Sequence, residues 1–296
     1  MGRELFIQDW ELLVRSDLAP HLIPFGQHRW VHRPADVGMV PDGARQALAR
    51  AVGRHGLEDL LIVPALVRPT GSRWRRRCRY APLCVLGIGE RGLGLWVQAP
   101  PPPEVWVTLP FGSIAVIERQ DDGPWRKLIV AGPGRKLSVQ YHASGDVPAD
   151  TWTRRLRRRC AGRPGPLPAG LRKRRRPRLR DVRPLLADQG DDAVIAGPRP
   201  APWRRPCLLA VTSQEVIVAW SRPWRAGSRT VYIERNAVAG AMVRSRSLLL
   251  RTSGDSVRVQ LPSRAVAAAA ARCLGRPPVI DTGRGWPEAA RSPRAQ

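Results

Sequence analysis

One pattern of short strands closed by a helix occurs twice in this chain, and such a repeat restricts the fold before any single motif is weighed. The first copy runs from Trp74-Arg75-Arg76 into Pro82-Leu83-Cys84-Val85-Leu86-Gly87-Ile88. The second runs from Trp203-Arg204-Arg205 into Pro206-Cys207-Leu208-Leu209-Ala210-Val211. Aligned on Cys84 and Cys207, Leu93 and Leu95 meet Val216 and Val218. After a one-residue adjustment, Val107, Leu109 and Ile114 meet Val231, Ile233 and Val238. Gly134, Leu137 and Val139 then meet Gly254, Val257 and Val259, and Arg159-Cys160-Ala161-Gly162 meets Arg272-Cys273-Leu274-Gly275. Apolar positions meet apolar positions throughout, so the two copies are expected to share one strand register.

Each copy reads as about seven short strands followed by an amphipathic helix. In the first, strands are expected near 82–88, 93–98, 104–109, 113–118, 126–131 and 136–141, after a strand over 60–67 bent at Pro64. The closing helix is 149–160, with Trp152, Leu156 and Cys160 on one stripe. In the second, strands are expected near 193–196, 207–212, 215–220, 229–234, 237–242, 247–252 and 256–261, before a helix over 264–274 with Val266, Ala270 and Cys273 inward. The resulting organisation is an extension over 1–57 with one helix near 42–55 capped by Asp42, a first domain over 58–162, a Pro/Arg-rich linker over 163–184, a second domain over 185–275, and a disordered tail over 276–296.

Net charge is +26, almost wholly from arginine, since lysine occurs only at 127, 136 and 173. A field of that sign attracts phosphate-bearing partners, whether nucleic acid or an anionic membrane. The five cysteines form no C-x-x-C pair, and four lie in or beside apolar strand and helix patterns, so they read as core residues of a reducing compartment. The longest apolar runs are too short to span a bilayer. No cleavable leader is recognised, which makes the cytoplasm, or the inner face of the membrane as a peripheral protein, the expected location.

Strand order and pattern resemble the pleckstrin-homology superfold, particularly its bacterial PH-like and GRAM-like members. The resemblance rests on Glu58-Asp59-Leu60-Leu61-Ile62-Val63 and Asp191-Asp192-Ala193-Val194-Ile195 as acidic-then-apolar first strands. It rests also on the Thr212-containing hairpin turn Val211-Thr212-Ser213-Gln214-Glu215-Val216, and on Val107-Thr108-Leu109-Pro110-Phe111-Gly112-Ser113-Ile114. The first copy departs by having Gly87 and Gly89 near the expected Thr turn. The resemblance implies a mainly β (α+β) chain of two small PH/GRAM-like β-barrels in tandem, each closed by its C-terminal helix. It implies binding rather than catalysis, with basic residues between the first two strands holding an anionic headgroup.

By that resemblance Arg73, Arg75, Arg76, Arg77 and Arg79 are the first candidate site, joined by Trp203, Arg204 and Arg205 of the second copy. Several guanidiniums on one loop offer forked donors to phosphate oxygens, and a neighbouring Trp74 suits the membrane–water interface. A second candidate is a nucleic-acid surface formed by Arg154, Arg155 and Arg158 with Arg172, Lys173, Arg174, Arg175 and Arg176, whose binding would weaken steeply with salt. The run Gly87-Ile88-Gly89-Glu90-Arg91-Gly92 matches G-x-G-x-x-G, but a strand and not a helix follows it, so it reads as a tight hairpin turn rather than a dinucleotide site. His21, His28 and His32 lack a coherent ligand set, and the pairs Asp121-Asp122 and Asp191-Asp192 read as turn or strand-end residues. No metal, cofactor or small-molecule substrate is implied. The expected function is a non-catalytic adaptor docking on protein partners or an anionic membrane surface. The alternatives are nucleic-acid binding and an enzyme without a recognisable motif.

Overall fold

The computed structural model describes residues 12–15, 31–34, 39–53, 57–70, 77–98, 105–161, 194–196, 207–221, 228–253, 256–274 and 279–280. The chain divides into two compact units, Met1–Ala161 with Trp224–Tyr232, and Gly162–Pro223 with Ile233–Gln296.

In that unit the elements are β1 (Leu12–Arg15), α1 (Asp42–Val52), β2 (Leu57–Val63), β3 (Leu66–Thr70), β4 (Arg77–Ala81), β5 (Cys84–Gly89), β6 (Gly92–Val97), β7 (Val105–Pro110), a 3-10 turn (Phe111–Ser113), β8 (Val116–Asp122), β9 (Trp125–Gly132), β10 (Arg135–His142) and α2 (Asp146–Cys160). β2, β5, β6 and β7 make an antiparallel sheet in that order, and β8, β9 and β10 pair in turn as antiparallel neighbours. Strands β5 and β6 are buried on both faces, which is why they read as nearly unbroken apolar runs. One face, with Leu61, Val63, Leu86, Ile88, Leu93 and Leu95, shares a core with Ile117, Leu128, Val130, Leu137 and Val139 of the following strands and with Trp152 and Leu156 of α2. The other, with Leu60, Ile62, Val85 and Trp96, packs with Val40 and with Ala44 and Leu48 of α1.

The second copy supplies β11 (Val194–Ala196), β12 (Cys207–Val211), β13 (Glu215–Ser221), β14 (Ser228–Glu234), a 3-10 turn (Arg235–Ala237), β15 (Gly240–Arg244), β16 (Ser247–Arg251), β17 (Ser256–Gln260), α3 (Arg264–Cys273) and β18 (Val279–Ile280). Its registers repeat those of the first. Cys84↔Val97, Leu86↔Leu95 and Ile88↔Leu93 become Cys207↔Trp220, Leu209↔Val218 and Val211↔Val216. Leu137↔Val130 and Val139↔Leu128 become Val257↔Leu250 and Val259↔Leu248. Even the irregular backbone recurs: Ile114 N–H donates to Phe111 O at 3.0 Å and Val238 N–H to Arg235 O at 3.3 Å, and the next residues, Ala115 and Ala239, donate to Ala131 O and Arg251 O at 2.9 and 2.7 Å. In the second copy's hairpin turn, the buried Thr212 hydroxyl accepts the N–H groups of Gln214 and Glu215 at 3.2 and 2.8 Å, closing the backbone by a side-chain cap. Ser263 caps α3 in the same way, accepting Val266 N–H at 3.2 Å.

Several expectations need correction. The protein is mainly β, but among the described residues each sheet is open and none closes into a barrel. The bent strand over 60–67 is two strands in different sheets, since Pro64 lacks the N–H that would continue β2. Arg77 and Arg79, expected in a loop, lie in β4, which pairs with β3 and also with β1. The helix near 42–55 stops at Val52, where Gly53 caps it through an N–H donated to Ala49 O. Register sets Val194, not Asp192, at the place of Asp59, because Asp59 faces Ile88 as Val194 faces Val211. Val266 of α3 is only half-buried, and Ala267, Ala270 and Ala271 carry the buried face with Cys273. The tail expected to be disordered contributes β18, which pairs parallel with β15 through Met242↔Val279 and Val243↔Ile280.

Candidate functional site

The accessory hairpin β3–β4 interrupts the first copy between β2 and β5, and its register runs Leu66↔Ala81, Arg68↔Arg79 and Thr70↔Arg77. Arg73, Trp74, Arg75 and Arg76 fall in the 71–76 connection, which lies outside the described residues, as do Trp203, Arg204, Arg205 and the run Arg172, Lys173, Arg174, Arg175 and Arg176. Arg77 and Arg79 have their backbone in β4, opposite Arg15 and Leu13 of β1 on its other side. Arg15 and Arg68 were missed as candidates. A lone arginine closing a short apolar run carries no local signal, and only the register joins them to Arg77 and Arg79.

The arginines of α2 turn largely back onto their own unit. Asp59 is buried on β2, where its Oδ1 accepts Leu60 N–H at 2.9 Å and its two oxygens take Arg33 Nε and Nη2 at 2.9 and 2.8 Å. Arg155 reaches the same carboxylate at 3.8 Å, and Arg159 pairs with Glu58 and lies 5.4 Å from the Phe111 ring centroid. Arg157 is buried with its guanidinium 3.8 Å from the Tyr232 ring centroid. Of the second candidate set, Arg154 is half-buried and Arg155 and Arg158 are exposed. The sequence pattern of five arginines in six residues thus mixes solvent-facing charge with guanidiniums that tie the closing helix to β2.

The carboxylates of the second sheet and of the start of α2 are likewise engaged by guanidiniums. Asp121 accepts Arg119 Nε at 2.9 Å and lies 3.3 Å from Arg126 Nε. Asp146 takes Arg126 at 3.1 Å and Arg119 Nη2 at 3.0 Å, while Asp150 takes Arg119 Nη1. Asp146 and Asp150 sit in the first turns of α2, where the helix dipole also favours negative charge. Glu118 is buried and holds Arg229, of the 224–232 segment, through both its oxygens at 2.6 and 2.9 Å. Burial, reinforced by Asp146, Asp150 and Asp121 and opposed by Arg119, pushes the Tyr141 phenol well above its usual range. This arrangement ties the second sheet to the start of α2.

The glycine run has a packing role that the sequence did not reveal. Gly89 and Gly92 flank the two-residue turn Glu90-Arg91, and Gly92 has φ +157°, with Leu109 O only 2.3 Å from where a Cβ would stand. A Cβ on Gly89 would lie 2.6 Å from Val52 O, and one on Gly94 would lie 2.6 Å from Leu48 Cδ2. The absent side chains make the seat for α1, and Arg91 N–H donates to Val52 O at 2.8 Å to complete it. At the equivalent positions the second copy has Thr212 and Ile217.

His32 pairs with Ile62 through two backbone hydrogen bonds of 3.2 and 2.9 Å, an extended geometry, whereas His21 and His28 lie outside the described residues. Among the described residues no three His, Cys, Asp or Glu side chains gather as a metal would require, and no helix is long and apolar enough to cross a membrane. Burial pushes the Cys84 and Cys207 thiols up to about 12 and raises Cys273. A thiol whose folded pKa is raised favours the native state fully below the unfolded pKa, and that contribution is lost as pH climbs towards the folded value. Stability should therefore decline between about pH 9 and 12, and in the native protein iodoacetamide at pH 8 should leave Cys84 and Cys207 unmodified until denaturant is added. Peptide mapping checks this; rapid native labelling of either would show an accessible thiolate.

Compared with known proteins, the chain matches no family model and no curated protein sequence.

Proposed function

We propose that this chain is a non-catalytic adaptor built from two PH-like modules, the first of which attaches it peripherally to an anionic membrane surface at the cytoplasmic side. The observation that carries the reading is the order of elements. In each copy four strands (β2, β5, β6 and β7; β11, β12, β13 and β14) lead through a 3-10 turn to three more and a closing helix. That is the order expected of the pleckstrin-homology superfold, and among the described residues only the first copy adds a β-hairpin, whose strands and connection hold six of the seven residues Arg73 to Arg79 as Arg or Trp. The engaged carboxylates around Arg119 and Arg126 favour binding over acid–base chemistry, and the inward-turned arginines of α2 favour a membrane over nucleic acid.

Flotation of the full chain with vesicles tests the reading. It should bind phosphatidylglycerol-containing vesicles at low salt, release at high salt, and ignore neutral vesicles. Converting Arg73, Arg75 and Arg76 to Glu should lower partitioning about a hundredfold or more, since each basic residue near an anionic leaflet is worth about 1 kcal/mol. Equal partitioning onto neutral and anionic vesicles, or none onto either, would overturn it.

A further inference from the structure

Strands β15, β16 and β17 of the second copy gather hydrogen-bond donors on one face of their sheet. Partners directly opposite in an antiparallel register share a face, and residues two apart along a strand share it as well. The rows Arg244↔Ser247↔Gln260 and Met242↔Leu249↔Arg258 therefore lie together, while the row Val243↔Leu248↔Val259 is buried on the opposite face. Ser247 is only 5% exposed, and its hydroxyl oxygen accepts Arg258 Nε and Nη2, both at 3.3 Å. Among the described residues the hydroxyl hydrogen of Ser247 has no acceptor. Arg244, Arg258 and Gln260 around it are exposed, as is Arg246 in the turn between β15 and β16. Among the described residues neither Arg246 nor Arg258 reaches a carboxylate, and the strands Gly240–Arg244, Ser247–Arg251 and Ser256–Gln260 contain none.

The first copy shows that the fold does not require this charge. By register, Gln120, Lys127 and Gln140 take the places of Arg244, Ser247 and Gln260, and Glu118 takes the place of Met242. Glu118 is buried and binds Arg229 through both its oxygens, so the first copy carries an anion of its own on this face. The second copy keeps the donors and lacks the anion. We infer that Arg244, Ser247, Arg258 and Gln260 form a binding site for a phosphate monoester, a site in the second copy that does not rest on membrane docking by the first. Cross-strand neighbours stand about 5 Å apart, so donors on either side of Ser247 frame one compact tetrahedral group. Forked guanidiniums suit its terminal oxygens, and the Ser247 hydroxyl offers a hydrogen at the floor of the site. A carboxylate has one oxygen fewer and half the charge of a monoester dianion, and a phosphodiester presents only two terminal oxygens.

The test is calorimetric titration of the full chain with inorganic phosphate at constant ionic strength. Binding should saturate, and acetate should bind about tenfold or more weakly. Arg258→Gln should weaken phosphate binding about tenfold or more and Ser247→Ala about threefold or more. Arg272→Gln, which removes an exposed arginine of α3 outside the site, should leave it unchanged. Hydrogen exchange of the unmodified protein, which needs no variant to fold, should show amides of 244–247 and 258–261 gaining protection when phosphate is added. Two further arms identify the source of the ester: tighter binding of glycerol 3-phosphate than of phosphate marks a soluble ligand, and displacement of phosphate by phosphatidic acid vesicles marks a lipid headgroup. Equal losses in Arg258→Gln and Arg272→Gln would mean that net charge alone holds the anion. That result, acetate binding as tightly as phosphate, no saturable binding, or protection appearing only elsewhere overturns the site and leaves vesicle docking by the first copy untouched.

Discussion

Replacing Gly89 by Thr, the residue that the second copy has at this position, should unseat α1 and cost about 3–5 kcal/mol, in the range of severe core disruptions. The new Cβ would stand 2.6 Å from the Val52 carbonyl oxygen, 2.7 Å from Val52 Cγ2 and 2.9 Å from the Val52 carbonyl carbon. Two of these atoms are backbone, so no rotamer relieves the clash, and the Arg91 N–H bond to the same carbonyl is lost when the helix end shifts. Leu48 and Val52, both buried against the sheet, then lose burial worth about 1.5–3 kcal/mol each. Gly94→Ile should be milder, because its Cβ meets the end of the Leu48 side chain, which can move. Urea unfolding with limited proteolysis across residues 39–53 reads both effects; an unchanged midpoint and an uncleaved helix in Gly89→Thr would refute the seat.

Trp152→Ala should be about as damaging, at about 3–5 kcal/mol. Trp152 is fully buried beside Tyr141, Ala149 and Leu156, where α2 covers the core of the first unit. Its indole Nε1 is buried with no hydrogen-bond partner, a condition that costs about 1–3 kcal/mol in the native state. Trp152→Phe loses ring area but also removes this orphan donor, so it should stay within about 1.5 kcal/mol of the parent. The informative measurement is the pair of variants in one denaturation series. A Phe variant as unstable as Ala would mean that the indole nitrogen is satisfied in solution.

Much of the first unit's core was readable because strand alternation and turn chemistry are local. Cys84 to Ile88 and Leu93 to Val97 announced a hairpin, and the same spacing at Cys207 to Val211 and Val216 to Trp220 announced its copy. The accessory hairpin was not readable. Arg77-Cys78-Arg79-Tyr80 alternates as a strand should, but its charged half hides the period, and its partner β1 is four residues long and more than sixty positions away. The candidate site was legible in part for the same reason. Arg77 and Arg79 stood out as an arginine run, whereas Arg15 and Arg68 become neighbours of that run only through pairing.

The glycines and the arginines each divide the same way between chain and fold. By itself the sequence determined the repeated order of strands, the register of the paired hairpins and the closing helices, since period, turn residues and caps act over a few neighbouring positions. Tertiary structure alone decided that Gly89 and Gly94 seat a helix, that the arginines of α2 turn towards Glu58 and Asp59, and that Arg15 and Arg68 come into register with Arg77 and Arg79. Those outcomes depend on which surfaces meet across long stretches of chain, and the net charge of a segment carries no record of its partner.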